Sequence, residues 1–456
     1  MFEATMQQVA TITGGLLGAG VPGAGEVVVR GVSTDSRQTR AGELFVALKG
    51  ERFDGHDFVE AAEEKGAAGA VVERSVPCAL PQVVVEDALR ALGELGRWWR
   101  EAHAVTVVAV TGSAGKTTTK GMIAAILQRR APCLSNPGSE NNEIGLPRTL
   151  LKLSDEEYCV LEMGARGLGQ IEYLARIAQP KIGVITNIGE AHVGLLGGRE
   201  KIAQAKSELL LALPEEGTAV LNRDDYFFGL LSEMAPCRVL SFGLEQGDFR
   251  AEDVQVSPEG TDFVLVGPGG RRPVHLNLPG KHHVANALAA AAAAWAAGAR
   301  GPDLVEGLEA FEGEAMRTQI LRRPDGVTVI NDAYNASPTS VAAALELLAS
   351  LEGRKVFVFG DMLELGEEAE EAHRTVGDQA RRAGVEVLVA VGDLGRLAGE
   401  RAEGLGLQVV YAVDAQQASE TVPGLVCSGD LVLVKASRAV GLECVAESLM
   451  GGEARS

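Results

Sequence analysis

Several features that mark other protein classes are missing from this chain of 456 residues. Aromatic residues make up only 4% of it, and 62 acidic residues outnumber 42 basic ones, which leaves a net charge of −20. Such a charge repels nucleic-acid backbones and anionic membranes, so we expect no nucleic-acid partner. No stretch is long and apolar enough to span a bilayer, and residues 1–15 lack the basic and apolar regions of a leader. We therefore expect a cytoplasmic protein without membrane insertion.

Cysteine patterns that signal a metal site or a redox motif are also missing. No CxxC pair and no metal-ligand spacing occurs among the cysteines. Reduced thiols, as in the cytosol, are the expected state. The six cysteines are Cys78, Cys133, Cys159, Cys237, Cys427 and Cys444.

What the chain does contain is a repeated alternation of strand and helix patterns. Its length exceeds what one core holds, so we predict an α/β fold of three domains. Residues 1–82 would form a small N-terminal α/β domain, residues 83–313 a central parallel-sheet domain, and residues 314–456 a C-terminal Rossmann-like domain. Within the central domain, residues 238–278 show short alternating runs that indicate an antiparallel patch. Active sites would then lie between domains.

The strand predicted at 105–110 runs into a glycine-rich segment and then a helix, the order that phosphate binding requires. Lys116 is placed to reach the β- and γ-oxygens of a nucleotide, and the Thr117 hydroxyl to hold Mg²⁺. The longer GxxxxGK[ST] pattern needs glycine where this chain has Val110, so only the form TGxxGKT is present. The alternative is a glycine-rich turn that merely caps a helix. The loop residues are Thr111, Gly112, Ser113, Ala114, Gly115, Lys116, Thr117 and Thr118.

Two further residues follow predicted parallel strands and could face these phosphates. Glu162 closes the strand at 158–161, and His192 follows the strand at 182–186 after a short loop. Positions beyond the carboxyl ends of parallel strands favour a role in the metal site. Taken alone, Glu162 could equally cap a helix and His192 could be structural.

Longer motifs point to a known family. Five occur in fixed order: TGSAGKTTTK, LEMGA, ITNIGEAH, IAQAKSE and LPGKHHVANALAA. They resemble the Mur ligase family, whose members build the peptide stem of bacterial cell-wall precursors, and the resemblance covers essentially the whole chain. Six more resemble the branch that adds D-alanyl-D-alanine: VSTDSR, GELFVALKGERFDGHDF, ENNEIGLP, NDAYNASP, GDMLELG and KASRAVGLE. The resemblance implies an ATP- and Mg²⁺-dependent ligase that joins this dipeptide to UDP-N-acetylmuramoyl-tripeptide through an acyl phosphate.

The resemblance also implies roles for residues around the nucleotide. Lys116 and Mg²⁺ on Thr117 and Glu162 would neutralise the phosphates. His192 matches a ligand of a second metal, and Lys206 matches a lysine that becomes a metal-binding carbamate, although Lys206 alone would be an ordinary helix lysine. Asn286 matches an asparagine that contacts adenine, and Arg317 and Asp332 match third-domain residues that meet the nucleotide when that domain closes. The family pattern GxHNxxN has an asparagine where this chain has His283.

Substrate contacts are implied in the same way. The UDP-sugar would be bound by Ser33, Thr34, Asp35, Ser36, Arg37 and Lys49, although Asp35 and Arg37 could form a structural ion pair instead. Asn141 and Asn142 would bind the muramoyl-peptide, beside Ser139 in place of a family asparagine. The incoming dipeptide would meet Tyr334, Asn335, Ser337, Lys435, Ser437 and Arg438. Asp361 and Glu364 would orient that cluster or cap a helix.

Other functions share parts of this pattern. A P-loop ATPase switch would use the phosphate loop for shape change without a covalent product. A folylpolyglutamate-type ligase shares the loop and the chemistry but lacks the N-terminal STDSR domain. A silent binding module would not need Lys116, Glu162 and Lys206 together. For the ligase we expect a monomer.

Overall fold

The chain folds into three α/β units that follow one another along the sequence. A computed structural model describes residues 2–18, 21–190, 194 and 197–451. Within these ranges, none of the helices combines the length and the apolar character that a membrane crossing needs. All six cysteines are free thiols.

The first unit is a five-stranded sheet with a two-stranded ribbon beside it. Its elements are β1 (Glu3–Thr5), α1 (Met6–Thr13), β2 (Leu16–Leu17), β3 (Val28–Arg30), β4 (Val32–Ser33), β5 (Leu44–Val46), α2 (Val59–Glu64), β6 (Gly69–Val72), β7 (Gln82–Val84) and α3 (Ala88–Glu101). The sheet order is β2-β7-β6-β5-β4, in which only β2 runs antiparallel to its neighbour. All of β5 and β6 is buried, as expected for parallel strands covered on both faces.

Helix α3 joins the first unit to the second. Asp87 caps its amino end through a side-chain hydrogen bond. Leu92 and Leu95 pack into the core of the first unit, while the indole N–H of Trp99 donates to the carbonyl of Leu153 at 2.9 Å. The predicted limit between the first two domains falls inside β7, so we propose that the limit lies after α3.

The second unit is built on six parallel strands. Its elements are β8 (Thr106–Thr111), α4 (Lys116–Gln128), β9 (Cys133–Ser135), α5 (Gly145–Leu150), β10 (Tyr158–Glu162), α6 (Gln170–Ala178), β11 (Ile182–Ile185), α7 (Arg199–Leu211), β12 (Thr218–Asn222), α8 (Phe228–Met234), β13 (Arg238–Phe242), β14 (Arg250–Ser257), β15 (Gly260–Gly267), β16 (Gly270–Leu276), α9 (Lys281–Ala296) and α10 (Gly301–Glu309). The sheet order is β13-β12-β11-β8-β10-β9. The chain visits β9 and β10 on one side of β8 and then crosses to β11, which opens a crevice at the carboxyl end of β8.

The antiparallel patch predicted for 238–278 is partly wrong. Strand β13 pairs parallel with β12 as the edge of the main sheet, and only β14, β15 and β16 form an antiparallel sheet. An edge strand is half exposed, so its residues alternate between buried and exposed as those of an antiparallel strand do. The local pattern therefore could not separate the two.

The alanine-rich helix α9 packs tightly against the central sheet and α4. The side chains at 289–294 are all alanine and all buried. Small side chains on every face allow the helix to approach both neighbours closely. Asn286 in its second turn is thereby brought against Gly115 in the loop that follows β8.

The third unit is another six-stranded sheet. Its elements are β17 (Gln319–Arg322), β18 (Thr328–Asn331), α11 (Pro338–Ser350), β19 (Lys355–Gly360), α12 (Ala369–Arg382), β20 (Val387–Val391), α13 (Gly392–Gly404), β21 (Gln408–Ala412), α14 (Ala415–Thr421), β22 (Leu431–Lys435) and α15 (Glu443–Leu449). The order is β17-β18-β22-β19-β20-β21, parallel except for β17. Because β18, β22 and β19 are neighbours, the motifs NDAYNASP, KASRAVGLE and GDMLELG meet at one edge.

Candidate active site

The loop between β8 and α4 has the shape of a phosphate cradle. Gly112 and Gly115 adopt positive φ angles of 149° and 78°. A Cβ at Gly112 would overlap the Thr186 hydroxyl, and a Cβ at Gly115 would overlap the Asn286 side chain, so both positions require glycine. The Lys116 ammonium donates to the Gly112 carbonyl at 2.9 Å, and burial lowers the pKa of this lysine. The cradle fits a nucleotide's phosphates.

The segment after β11 braces this loop from the other side. The Thr186 hydroxyl donates to the Ala114 carbonyl at 2.6 Å, and the Asn187 side-chain oxygen accepts from the Ala114 N–H at 3.0 Å. The Ser113 hydroxyl in turn accepts the N–H of Gly189 at 2.9 Å. Thr186 and Asn187 belong to the motif ITNIGEAH without a role of their own there, and their place at the end of a buried strand is the signal that could have identified them.

A buried carboxylate faces the first turn of α4. Glu162 ends β10, is 1% exposed, and accepts hydrogen bonds from the Thr117 hydroxyl at 2.7 Å and the Asn141 side-chain nitrogen at 2.6 Å. A hydroxyl and a carboxylate so close together are the oxygen donors that Mg²⁺ prefers. These residues therefore fit a magnesium ion beside the phosphate cradle.

The loop that carries Asn141 is itself held against β10. The Asn136 side chain, fully buried, accepts the backbone N–H of Glu162 at 2.9 Å and donates to the Glu140 carbonyl at 2.8 Å. The Ser139 hydroxyl lies 3.3 Å from the Thr117 hydroxyl. Neither Asn136 nor its role could be recognised from the sequence, because a single asparagine in a loop carries no pattern.

Lys206 lies in α7 and is 4% exposed. Burial, together with the nearby charge of Lys116, lowers its pKa from 10.5 to about 7. A lowered pKa increases the share of this amine that is neutral near pH 7, and only a neutral amine can react with carbon dioxide. His192, the other predicted metal ligand, lies outside the described residues.

On the side expected for adenine, α9 presents Asn286 against Gly115. The rings of His282 and His283 lie 4.0 Å apart, and burial lowers both pKa values, that of His282 to about 4. Both ring nitrogens of His283 are buried without a hydrogen-bond partner in the described part of the chain. His283, which replaces a family asparagine, thus faces the protein interior.

Arg317 of the third unit reaches the phosphate side of the second. Its guanidinium donates to the Ser139 hydroxyl at 2.9 Å and stacks on the ring of Tyr334 at 4.0 Å. The flanking residues Met316 and Thr318 have φ angles of 59° and 51°, a strained conformation for a β-branched residue such as threonine. Backbone strain of this kind is common at functional sites, and here it fixes the direction of the Arg317 side chain.

Asp332 and Lys435 form a buried pair behind this turn, 2.5 Å apart. The other oxygen of Asp332 accepts the backbone N–H of Thr318 at 3.0 Å, and Lys435 also donates to the Asn335 carbonyl at 3.0 Å. Asp332 was predicted to meet the nucleotide and Lys435 the dipeptide, but in this structure both side chains bind protein groups instead. The pair links the turn that holds Arg317 to two strand ends.

The remaining residues predicted for the dipeptide lie close by. Arg438 pairs with Glu443 at 2.7 Å and lies 6.0 Å from the Tyr334 ring. The Ser437 hydroxyl accepts the N–H of Leu363 at 2.9 Å, and Ser337 caps α11. Ser337 thus has a structural partner, whereas the guanidinium of Arg438 is half exposed.

The two acidic residues of GDMLELG have different surroundings. Asp361 accepts the N–H of Gly395, in the first turn of α13, at 2.8 Å, which is the capping alternative. Glu364 lies 3.5 Å from Arg166 of the second unit. Its loop therefore touches the neighbouring domain.

The first unit places its predicted residues at the end of β4. Asp35 and Arg37 form an ion pair at 2.8 Å, and the hydrogen bond from Arg37 lowers the pKa of Asp35. Lys49 lines a cleft of about 400 Å³ that is bounded across the domain junction by Ile144. Asn142 accepts the N–H of Gly145 at 2.9 Å and so caps α5. The ion-pair alternative for Asp35 therefore matches the geometry, and Ser33, Thr34 and Ser36 lie on the same turn.

The phosphate cradle and the metal donors beside it define a class of protein: an enzyme that uses a nucleotide with Mg²⁺. The cradle lies at the switch point of a parallel sheet, where open α/β sheets bind ligands. A buried carboxylate faces the cradle, and the third unit contributes an arginine to it. Nothing else described in the chain combines phosphate-binding geometry with metal donors.

Comparison with known proteins narrows this class. Three family models match: "Mur ligase family, catalytic domain" at 28–99, "Mur ligase middle domain" at 110–294 and "Mur ligase, glutamate ligase domain" at 316–438. The UDP-N-acetylmuramoyl-tripeptide–D-alanyl-D-alanine ligase of Bacillus subtilis is 38% identical over 99% of each chain. The chain belongs to the Mur ligase family.

Solved structures agree over the whole length. MurF from Acinetobacter baumannii is 37% identical, with a TM-score of 0.92 over 99% of both chains. MurF ligase from Thermotoga maritima in complex with ADP is 31% identical, with a TM-score of 0.83 over 93% of this chain and 97% of that one. The predicted family, the α/β fold class, the ligase activity and the use of ATP and Mg²⁺ are confirmed.

Proposed function

We propose that this chain joins D-alanyl-D-alanine to UDP-N-acetylmuramoyl-tripeptide, with cleavage of ATP to ADP and phosphate, in the synthesis of peptidoglycan precursors. The observation that supports it is the 38% identity with the Bacillus subtilis ligase of that name, which extends through the first unit as well as the nucleotide site. A folylpolyglutamate synthase from Mycobacterium tuberculosis is only 19% identical, with a TM-score of 0.65, a likeness of fold alone.

The reaction has two steps. First, an oxygen of the tripeptide's terminal carboxylate bonds to the γ-phosphorus while the bond from that phosphorus to ADP breaks. Then the dipeptide amine bonds to the acyl carbon, phosphate leaves with the electron pair of the C–O bond, and the nitrogen loses a proton. A carboxylate and a polyphosphate repel each other, so the site must neutralise both.

The second unit supplies that neutralisation. Lys116 would hold the β- and γ-phosphates as a fixed charge, with Thr111, Gly112, Ser113, Ala114, Gly115 and Thr118 in the cradle around it. Thr117 and Glu162 would hold Mg²⁺, which when bound withdraws charge from the phosphate oxygens. The 2.7 Å contact between those two side chains supports this assignment.

Lys206 would act as a carbamate ligand of a second metal ion, for which His192 would be another ligand. Its pKa of about 7 supports the assignment, because a neutral amine attacks carbon dioxide with loss of a proton and becomes an anion. A buried anion is favourable only next to a cation, as a second metal ion would be. The carbamate of Lys206 would therefore form only when the second metal ion is bound.

The third unit would complete the nucleotide site. Arg317 would contact the γ-phosphate, and Asn286 the adenine. Asp332 would act through the Thr318 N–H, which it accepts at 3.0 Å, and so orient Arg317. Closure of this unit would exclude water from the acyl phosphate.

The two substrates would enter from opposite sides. The UDP-sugar would lie on the first unit along Ser33, Thr34, Asp35, Ser36, Arg37 and Lys49, and the peptide would reach Asn141 and Asn142. Arg438 would bind the dipeptide carboxylate through two parallel N–H donors, held in place by Glu443. Tyr334, Asn335, Ser337, Lys435 and Ser437 would shape that pocket.

Other properties remain part of the proposal. We infer a monomer in the cytoplasm, without a nucleic-acid partner. The net charge of −20 supports the last point.

The test is phosphate release with MgATP and UDP-N-acetylmuramoyl-tripeptide, with and without D-alanyl-D-alanine, while the mass of the UDP product is followed. We expect release that depends on both substrates and a mass gain of one dipeptide. The Lys116→Ala variant is the matched inactive control. Phosphate release without either substrate, and no new product, would instead indicate an ATPase switch.

A further inference from the structure

Lys120 is a buried cation that belongs neither to the phosphate cradle nor to the metal donors. It lies on α4, three residues after Thr117, and is 2% exposed. Its ammonium group donates to the carbonyl oxygens of Asn136 and Gly138, both at 2.7 Å. Both acceptors belong to one segment, residues 136–142, which we call the 136–142 loop.

The 136–142 loop surrounds the metal donors. Asn141 donates to one oxygen of Glu162 at 2.6 Å, and Asn136 accepts the backbone N–H of Glu162 at 2.9 Å. Ser139 lies 3.3 Å from the hydroxyl of Thr117. The loop therefore determines where the carboxylate of Glu162 lies relative to α4.

Packing alone does not require a lysine at this position. Burial of an ammonium group is unfavourable unless it is hydrogen-bonded, and burial lowers the pKa of Lys120 accordingly. Methionine has a similar volume and carries no such penalty. What lysine adds is two donors on one atom, which tie together two carbonyls that are two residues apart.

Direct contact between Lys120 and a phosphate does not fit the geometry. Its ammonium group is enclosed and already has two acceptors, whereas Lys116, one turn earlier, reaches the cradle itself. Lys120 therefore contacts the 136–142 loop directly, and it acts on the carboxylate of Glu162 through that loop.

We propose that Lys120 is a positioning residue for the magnesium site. It pins the 136–142 loop to α4, so that Asn136 and Asn141 hold Glu162 facing Thr117. One helix then carries a metal donor and also sets the distance to the opposite donor. This inference rests on the proposed function in one respect: the metal ion is taken to be the Mg²⁺ that accompanies ATP in the ligation.

The test compares Lys120→Met with Lys120→Arg, which keeps the donors, and with Lys152→Met, which removes an exposed lysine of the same unit. Mn²⁺ binding in the presence of ADP is measured by electron paramagnetic resonance, and ligation is measured across a Mg²⁺ titration. We expect Lys120→Met to weaken Mn²⁺ binding and raise the half-saturating Mg²⁺ concentration by about 10–100-fold, the usual effect of losing a residue that supports a metal ligand. Lys120→Arg should recover most of this loss, and Lys152→Met should match the parent.

Two results would overturn the proposal. One is Lys120→Met with the parent's Mn²⁺ affinity and Mg²⁺ dependence but a lower melting temperature, since Lys120 would then only stabilise the fold. The other is a loss that Lys120→Arg does not recover although that variant is folded. Should Lys120→Met be unfolded, Lys120→Gln takes its place with the same two outcomes. If Lys120→Met binds Mn²⁺ more weakly than the parent but the parent makes no ligation product, the proposed function is rejected and this inference stands.

Discussion

Replacement of Lys206 with methionine should stabilise the folded protein at pH 7 and at the same time abolish its activity. Burial moves the pKa of Lys206 from 10.5 to about 7. A difference of about 3.5 units, at about 1.4 kcal/mol each, means that folding is opposed by about 5 kcal/mol where the amine must be protonated. Methionine fills the same space without that penalty.

The effect must depend on pH in one direction. Below pH 7 the amine is protonated in both the folded and the unfolded chain, so the full penalty applies. Between pH 7 and 10.5 the folded form is neutral while the unfolded chain still binds a proton, so stability rises with pH. From pH 7 to pH 9 the advantage of Lys206→Met should shrink by about 2 kcal/mol.

Urea unfolding of the parent and of Lys206→Met at several pH values, in buffers freed of carbon dioxide, measures this difference. Bicarbonate added at pH 8 in the presence of Mg²⁺ should stabilise the parent and leave Lys206→Met unchanged, because only the parent can form the carbamate that the metal ion stabilises. An unfolding free-energy difference that stays constant from pH 7 to pH 9 would refute the argument that Lys206 is buried as a neutral amine. Full ligase activity of Lys206→Met without any response to bicarbonate would refute the carbamate.

Three further predictions concern the reacting groups. Lys116→Ala should lower kcat by about 100-fold or more while circular dichroism shows a folded protein, because it removes charge stabilisation at the phosphates; an unfolded variant would contradict this. Glu162→Gln should weaken Mn²⁺ binding in the presence of ADP by about 10-fold or more, and unchanged binding would exclude Glu162 from the metal site. Arg438→Lys should raise KM for D-alanyl-D-alanine by about 10-fold and leave KM for ATP unchanged, since lysine cannot make two parallel hydrogen bonds to a carboxylate. An equal rise in both constants would assign Arg438 to domain closure instead.

Local patterns were sufficient for most of the fold. The strand predicted at 105–110 is offset by one residue from β8, and the helix predicted to follow the glycine-rich segment is α4, because a run of β-branched residues followed by a glycine turn leaves few alternatives. The edge strand β13 was assigned to the wrong sheet. Its exposure pattern is compatible with two kinds of pairing, and only its neighbour β12 distinguishes them.

For the candidate site, motif residues were predictable but their supports were not. Lys116, Thr117 and Glu162 could be named because phosphate and metal binding require those groups at those strand ends. Asn136 and Lys120 could not be assigned a role, because their partners are backbone groups, that of Glu162 for Asn136 and those of the 136–142 loop for Lys120, and a backbone partner leaves no pattern in the sequence. Asp332 and Lys435 were predicted as ligand contacts, and the structure shows that they pair with each other.

The sequence by itself determined the α/β alternation, the phosphate cradle and the family, because these depend on local hydrophobic order and on glycines that admit no side chain. Only the tertiary structure decided which distant groups share one charge environment. The low pKa of Lys206, the contact of Arg317 with Ser139 and the loop held by Lys120 all arise between segments far apart in the chain. Burial and Coulomb interaction depend on distance in space, and distance in space is set by packing rather than by order along the chain.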